Sequence, residues 1–440
     1  MQLPIDWYSM SYTSAVLINP SVSLAKAILY PFLDMASINP SVRCAFATDT
    51  RLFTGGGARF VVGDTLLARI TPCLENGKIA RYCGPIAGQA HGSTEFIVIR
   101  GRENVTDDTY AYYLTKWQGV SGYAISQMTG TSGRQRVPTE SLSKLLVPIP
   151  PLPEQRRIAH ILGTLDDKIE NNRKTAKALE AMAQAIFKSW FVDFDPVRSK
   201  MNGESRESIC KRLKITPEIL DLFPDRLVDS ELGEIPEGWG VGTFGDLCKS
   251  VQSGGTPKRI IAQYWNGQID WLTSGEVRNP IVFDTKEKIT EAALAESNAK
   301  LWPAGTTVVA MYGATAGEVC LLASEMCSNQ ACCGLIPLPD YEAFLFLSVR
   351  KERQHLADKS SGSAQQNLNK GLVESHSCFL PLESIIPPFQ DFVSHIVKQW
   401  IINERECDSL TAVRDALLPK LISGEIRIPE AEHFLESVTR

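Results

Sequence analysis

Two polar loops carry the residue types that read nucleic-acid bases. One is residues 131–137, TSGRQRV, and the other is residues 362–368, GSAQQNL. Arg134 and Arg136 present guanidinium forks that match two acceptors on the edge of guanine. Gln135, Gln365, Gln366 and Asn367 present amides that match the donor–acceptor pair of adenine. Thr131, Ser132 and Ser363 add hydroxyls suited to phosphate oxygens. Lys78 and Arg81 in the first half of the chain, and Lys258 and Arg259 in the second, are candidate phosphate contacts. Tyr312 is a further candidate, although a core position would suit its ring as well. A solvated polar loop has the same composition, so these residues acquire meaning only from the scaffold that holds them.

Catalytic chemistry finds little support. Asn19–Pro20 and Asn39–Pro40 are each followed by serine and read as turns, not as the Asn/Asp-Pro-Pro-aromatic string of an amino-methyltransferase. Gly77–Lys78 is followed by isoleucine, so no phosphate-cradling P-loop is present. The glycine triplet 55–57 has no following lysine and reads as a loop tip. Residues 284–286, Asp-Thr-Lys, lack the supporting acids of a nuclease site. The 6 histidines and 11 cysteines have no metal-ligand spacing, and reduced, mostly buried cysteines are expected. No cofactor or metal is expected for this chain.

The candidate loops sit at matching places in a duplicated sequence. PIDW at 4–7 is answered by PEGW at 236–239, GDTLLARI at 63–70 by GTTVVAMY at 305–312, the first polar loop by the second, and IPP at 149–151 by IPP at 386–388. The shared order and nearly constant separation mark a repeat. After each copy the apolar positions step by four and three. The first series is Ile158, Leu162, Leu165, Ile169, Asn172, Ala176, Leu179, Ala183, Ile186 and Trp190. The second is Phe389, Val393, Ile396, Trp400, Asn403, Cys407, Leu410, Arg414, Leu417 and Leu421. A sustained four–three repeat is the seam of a coiled coil, and a lone asparagine in each seam would fix register. Antiparallel pairing would put Asn172 and Asn403 in adjacent layers, near enough to satisfy each other; parallel pairing would set them face to face. The spacing leaves both open. Pro419 should kink or fray the end of the second helix.

Short β-branched runs bounded by glycine or proline predict strands near 60–62, 66–70, 95–100, 307–311 and 318–322. Helices are expected over 107–116 and 343–356. The fold class is therefore mixed α/β (α+β), in two duplicated domains joined by two long helices. The expected divisions are a first recognition domain over 1–150, a helix over 151–192, a charged connector over 193–235 with a short helix near 217–222, a second recognition domain over 236–384, a helix over 385–425, and a tail over 426–440.

Several of these strings resemble one family. Residues 151–191, PLPEQRRIAHILGTLDDKIENNRKTAKALEAMAQAIFKSWF, resemble the central conserved region of type I restriction–modification specificity subunits. Residues 225–239, DRLVDSELGEIPEGW, resemble the lead-in to the second recognition domain of that family. Residues 64–78, DTLLARITPCLENGK, and 92–98, GSTEFIV, resemble stretches of the recognition domains themselves. The second helix departs from the family string, with Trp400, Cys407 and Arg414 at seam positions. The resemblance implies a non-catalytic subunit acting in the cytoplasm. Its two domains would each read one half of a split double-stranded DNA site. Its helices would pair antiparallel, with Leu165, Ile169, Asn172 and Leu179 against Ile396, Trp400, Asn403 and Leu410. It further implies two methyltransferase subunits and ATP-dependent restriction subunits as partners, with S-adenosylmethionine, ATP and magnesium belonging to them.

Composition sets the rivals. The chain of 440 residues is long enough for two or three domains, and its net charge is −5. A protein gripping DNA alone usually carries a basic excess. The acidic balance fits either a reader helped by partners or an assembly scaffold that never touches DNA; a free-standing DNA-binding regulator fits less well. No apolar run is long enough for a membrane span, and residues 1–10 do not read as a secretory signal.

Overall fold

A computed structural model describes residues 4–85, 88–131, 133–361 and 368–438. The chain forms two compact units, one of Met1–Asn172 with Glu406–Arg440, the other of Arg173–Arg405.

Both units are built on the same five-stranded sheet. In the first the order is Val16–Ile18, Phe96–Gly101, Thr65–Ala68, Ile79–Tyr82, Cys44–Ala45. In the second it is Cys248–Ser253, Cys332–Pro337, Thr307–Ala310, Val319–Leu322, Ile281–Val282. In each sheet every pairing is antiparallel except the last, which is parallel. The central strands TLLA and TVVA are buried along their whole length, so both read as continuous apolar runs. A two-stranded ribbon adjoins each sheet, Tyr8–Ser11 with Leu146–Ile149 and Gly240–Thr243 with Ser377–Leu380. The second strand of each ribbon feeds a long helix. The duplication read from scattered four-residue matches is thus a duplication of topology.

The helix Leu152–Phe191 follows the first ribbon and Ile386–Ser423 the second. Every position of the two four–three series is buried or half-buried, as a packed seam requires. Within each unit the two helices pair antiparallel. In the first, Asp166 meets Arg414, the Ile169 carbonyl meets the Cys407 thiol, and Asn172 meets Glu406. In the second, Phe187, Trp190 and Phe191 pack on Phe389, with ring centroids of Phe191 and Phe389 4.7 Å apart. At the other end of the same segment Arg350 joins Glu180 to the ring of Trp400. Leu165 and Leu410 lie in the core of the first unit, while Leu179 and Ile396 pack at the edge of the core of the second.

The structure corrects some expectations and extends others. The two asparagines find other partners: Asn172 Nδ2 donates to Glu406 at 2.8 Å, and Asn403 Nδ2 donates to the Gln399 carbonyl of its own helix at 2.8 Å. The charged stretch over 193–235 contains the short helix expected near 217–222 and more structure besides. It carries the helices Asp195–Met201, Arg206–Leu213 and Pro217–Asp221 and the hairpin Leu227–Ser230/Gly233–Pro236. Its isolated apolar residues Phe194, Val197, Ile209, Leu220 and Phe223 all enter the core beside Trp190. The tail forms the helix Ile428–Val438, with Ile428 and Ala431 buried in the first unit. Finally, Cys44 and Cys83 form a disulfide with a Cα–Cα distance of 5.5 Å. Parallel pairing of Cys44–Ala45 with Ile79–Tyr82 brings these two cysteines together, which their spacing in sequence does not reveal. The other nine cysteines are free, five of them buried. Pro419 lies inside the last turns of the second long helix, which continues to Ser423.

Candidate nucleic-acid interface

In the first unit the polar loop returns as a narrow hairpin. Thr129 and Arg136 exchange backbone hydrogen bonds of 3.0 and 2.8 Å, and the Arg134 amide donates to the Thr131 carbonyl at 3.0 Å. Gly130 and Gly133 take φ of +129° and +77°, a region open to glycine at little cost. Around Gly133 there is free space, so conformation alone explains that glycine.

The hairpin is fastened to the end of the central strand. The Gln135 amide donates to Thr71 Oγ1 at 3.1 Å, the Thr71 amide to the Gln135 carbonyl at 3.0 Å, and the Val137 amide to the Arg69 carbonyl at 2.9 Å. The second unit repeats this fastening: the Leu368 amide donates to the Met311 carbonyl at 3.1 Å. The strand end thus positions the polar hairpin in the first copy and holds the residue after the polar string in the second; a framework that carries a loop is the usual way a scaffold presents a binding surface.

The candidate residues separate on this frame. Thr131 and Arg134 are exposed at the hairpin tip. Gln135 is half-buried and works through its main chain. Arg136 is exposed and held by Glu95, with Nε 3.0 Å from both carboxylate oxygens and Nη2 2.7 Å from Oε1. The Arg136 hydrogen bond holds the Glu95 carboxyl below the usual carboxylate range. Lys78 is half-buried, and its ammonium donates to the Met35 carbonyl at 2.6 Å, so it is committed to the fold. Arg81 is also half-buried, with Nε 3.3 Å from the Gly63 carbonyl. Burial first, and then the neighbouring Arg43, push its guanidinium below the usual arginine value.

In the second unit Lys258 is exposed. Arg259 is paired with Glu287 at 2.6 Å and lies 3.8 Å over the Trp265 ring. Tyr312 is 38% exposed at the strand end where the second loop is fastened, which corrects the alternative of a core ring. Ser132, Ser363, Gln365, Gln366 and Asn367 lie outside the described residues. No cluster of three or more metal-binding side chains occurs among the described residues, and no described helix is long and apolar enough to cross a membrane.

Sequence reasoning missed two residues of this candidate interface, Glu95 and Arg69. Both lie in strings already singled out, GSTEFIV and DTLLARI. Arg69 Nη2 donates to the Val137 carbonyl at 2.9 Å and braces the hairpin root, and Glu95 braces Arg136. Only the fold sets them beside residues some 40 to 70 positions away.

Comparison with known proteins agrees with this architecture. The Type I restriction modification DNA specificity domain matches residues 78–181 and 236–388, together more than half the chain. The Type I restriction enzyme HindI specificity subunit of Haemophilus influenzae is 29% identical over 372 residues, covering 76% of this chain and 81% of the relative. The Type I restriction enzyme MjaIX specificity subunit of Methanocaldococcus jannaschii is 26% identical over 326 residues, covering 73% and 69% respectively. A crystal structure of the type I restriction–modification S subunit from M. genitalium shares the fold, with a TM-score of 0.61 at 14% identity, over 96% of this chain and 98% of that one. With two family domains on two copies of one sheet, each leading into a long helix, the chain belongs to the type I restriction–modification DNA specificity family.

Proposed function

We infer that this chain is the sequence-reading subunit of a type I restriction–modification complex. Each unit reads one half of a split double-stranded DNA site, and the residues between the halves are passed over unread. One observation carries this reading: two copies of one sheet topology each bind, at the same strand end, the residue that follows a polar string, Val137 in one and Leu368 in the other, while the strings differ, RQR in one copy and QQN in the other. A duplicated frame with unlike loops fits a bipartite, asymmetric target, because fixed separation of two readers sets half-site spacing. The continuous helices of 40 and 38 residues are the elements that would set that spacing.

In this reading the chain is not itself catalytic. Two methyltransferase subunits dock on the scaffold and use S-adenosylmethionine, and ATP-dependent restriction subunits join them in the cytoplasm. Thr131, Ser132, Arg134, Gln135 and Arg136 serve the first half-site. Tyr312, Ser363, Gln365, Gln366 and Asn367 serve the second, with Lys258 toward phosphate. Arg259, Lys78 and Arg81 act through the frame rather than by free charge.

The test is genome-wide adenine methylation in a host carrying the cognate methyltransferase, with and without this chain. A split motif that appears only with the chain supports the reading. Replacing Arg134 and Arg136 with alanine should relax one half of that motif and leave the other intact. Absence of any motif while a complex still forms would favour an assembly scaffold instead.

A further inference from the structure

The Arg136–Glu95 pair has a geometry that an ordinary surface ion pair does not need. A guanidinium has five N–H donors in a fixed fork. Glu95 takes Nε and one hydrogen of Nη2, the side edge of the group. Three N–H groups remain, two on Nη1 and one on Nη2. The end edge, Nη1 with Nη2, is therefore still complete, and that edge is the fork that matches O6 and N7 of guanine. The Glu95 side chain is 23% exposed and the Arg136 side chain 46%, so the arginine that Glu95 braces stays open to solvent.

The second copy supplies an internal control. The Arg69 amide donates to the Glu95 carbonyl, and the Met311 amide donates to the Ala331 carbonyl. The sheet registers agree, with Phe96 opposite Ala68 and Cys332 opposite Ala310. Ala331 is thus the counterpart of Glu95, and the aligned counterpart of Arg136 is Asn367. The copy without the arginine also lacks the carboxylate, while the strands around them are unchanged. The sheet fold therefore does not require an acid at this position.

We propose that Glu95 is a specificity-positioning residue: it holds the Arg136 guanidinium side-on so that its end edge reads one guanine in the half-site of the first unit. This rests on the base-reading function inferred above. Pre-orienting the fork removes the side-chain freedom that would otherwise be lost on binding, and a bidentate contact then discriminates against the other bases. Because Glu95 already neutralises Arg136, the pair adds little to phosphate attraction. Its loss should alter sequence preference more than overall affinity.

The test is motif profiling of the methylating complex with wild-type chain, Glu95→Ala, Glu95→Gln, Arg136→Ala and Arg136→Lys. Thermal melting of each variant is recorded, and the presence of alanine in the second copy indicates that Glu95→Ala folds. The expected result is that one guanine of one half-site loses discrimination in all four variants, by roughly ten- to a hundredfold for the arginine replacements and less for the glutamate ones. Duplexes carrying 7-deazaguanine at that base, which removes the N7 acceptor, should abolish the wild-type preference and leave the variants unaffected. If Arg136→Ala relaxes a guanine while folded Glu95→Ala and Glu95→Gln keep the wild-type motif, the positioning role is overturned and base reading by the loop stands. If the wild-type complex shows no split motif, the base-reading function itself fails. A change in the other half-site on replacing Glu95 would overturn the proposal as well.

Discussion

Arg414 occupies a seam position of its helix, where an arginine should be costly, and replacing it with methionine shows whether its partner makes it tolerable. Arg414 and Asp166 are 5% and 6% exposed, and Arg414 Nη1 lies 2.8 Å from Asp166 Oδ1. The second oxygen of Asp166 accepts from the Tyr113 hydroxyl at 2.7 Å, so the carboxylate is satisfied from both sides. Burial opposes the arginine's charge, but the hydrogen bonds and charges of Asp166 and then Asp415 together outweigh it and hold the guanidinium well above the usual arginine value. Arg414→Met keeps much of the volume and leaves Asp166 charged, buried and short of one partner. Breaking one side of such a pair costs about 3–5 kcal/mol, a large share of the ~5–15 kcal/mol that stabilises a typical domain. Replacing both, Asp166→Leu with Arg414→Met, removes the stranded charge and leaves the Tyr113 hydroxyl without its acceptor, at a cost of about 1–3 kcal/mol. The double variant should therefore be no less stable than Arg414→Met alone, with a coupling energy of at least about 2 kcal/mol. Urea unfolding of the four proteins completes the cycle. A cost below about 1 kcal/mol for Arg414→Met, or strictly additive losses in the double variant, would show that the pair is solvated and the reasoning wrong.

Three further outcomes follow from particular contacts. Hydrogen bonds from His376 first, and then from Lys351 and His355, hold the Glu352 carboxyl far below its ordinary value of 4.5. A depressed acid contributes stability above its unfolded pKa and loses it as pH falls through the folded one, so the melting gap between wild type and Glu352→Gln should narrow steadily below about pH 4.5. A gap that is unchanged at pH 3 would contradict this. Asn172→Leu removes a buried amide held by Glu406 and should raise thermal stability while loosening helix register, read as new disulfide cross-links between cysteines placed one layer out of step. Lower stability without mispairing would count against a buried seam. Arg427 lies between Asp6, at 3.0 Å, and Glu154, at 2.9 Å. Arg427→Ala should free the helix Ile428–Val438 for proteolysis well before the rest of the first unit, whereas simultaneous cleavage throughout would mean the helix is held by its apolar face alone.

What could be read from the sequence is what repeats locally. The four–three stepping exposed both long helices, because one helical turn sets the period and no distant partner is needed to see it. The strand runs TLLA and TVVA were equally visible, since burial on both faces leaves an uninterrupted apolar string. What stayed hidden depends on closure of the chain. Arg414 looked anomalous because Asp166 sits 248 residues away. The Cys44–Cys83 bond needs a parallel strand pair, and the folded stretch after Phe191 buries single apolar residues set among charges, too sparse to show a period. The candidate loops were found by composition. The bracing of the first loop by Arg69 and Glu95 was not, because both residues read simply as parts of strands.

The acidic net charge, which first argued against DNA binding, becomes intelligible in the same terms. Arg136 and Arg259 are each paired with a carboxylate, and Lys78 is turned onto a backbone carbonyl. Side chains so committed can shape a reading surface, but they release few counterions from DNA, and counterion release supplies most sequence-independent affinity. The chain alone should accordingly bind duplex weakly, with a salt dependence equivalent to only a few phosphates at a slope of about −0.9 per phosphate. On the proposed function, addition of the methyltransferase should steepen that slope as well as tighten binding, because the partner would then supply the missing cations. Fluorescence anisotropy between 50 and 200 mM salt, with and without methyltransferase, measures both. A chain that alone shows a slope of six phosphates or more would carry its own electrostatic grip. In that case it could act as a free-standing DNA-binding protein, and dependence on partners would lose its physical basis.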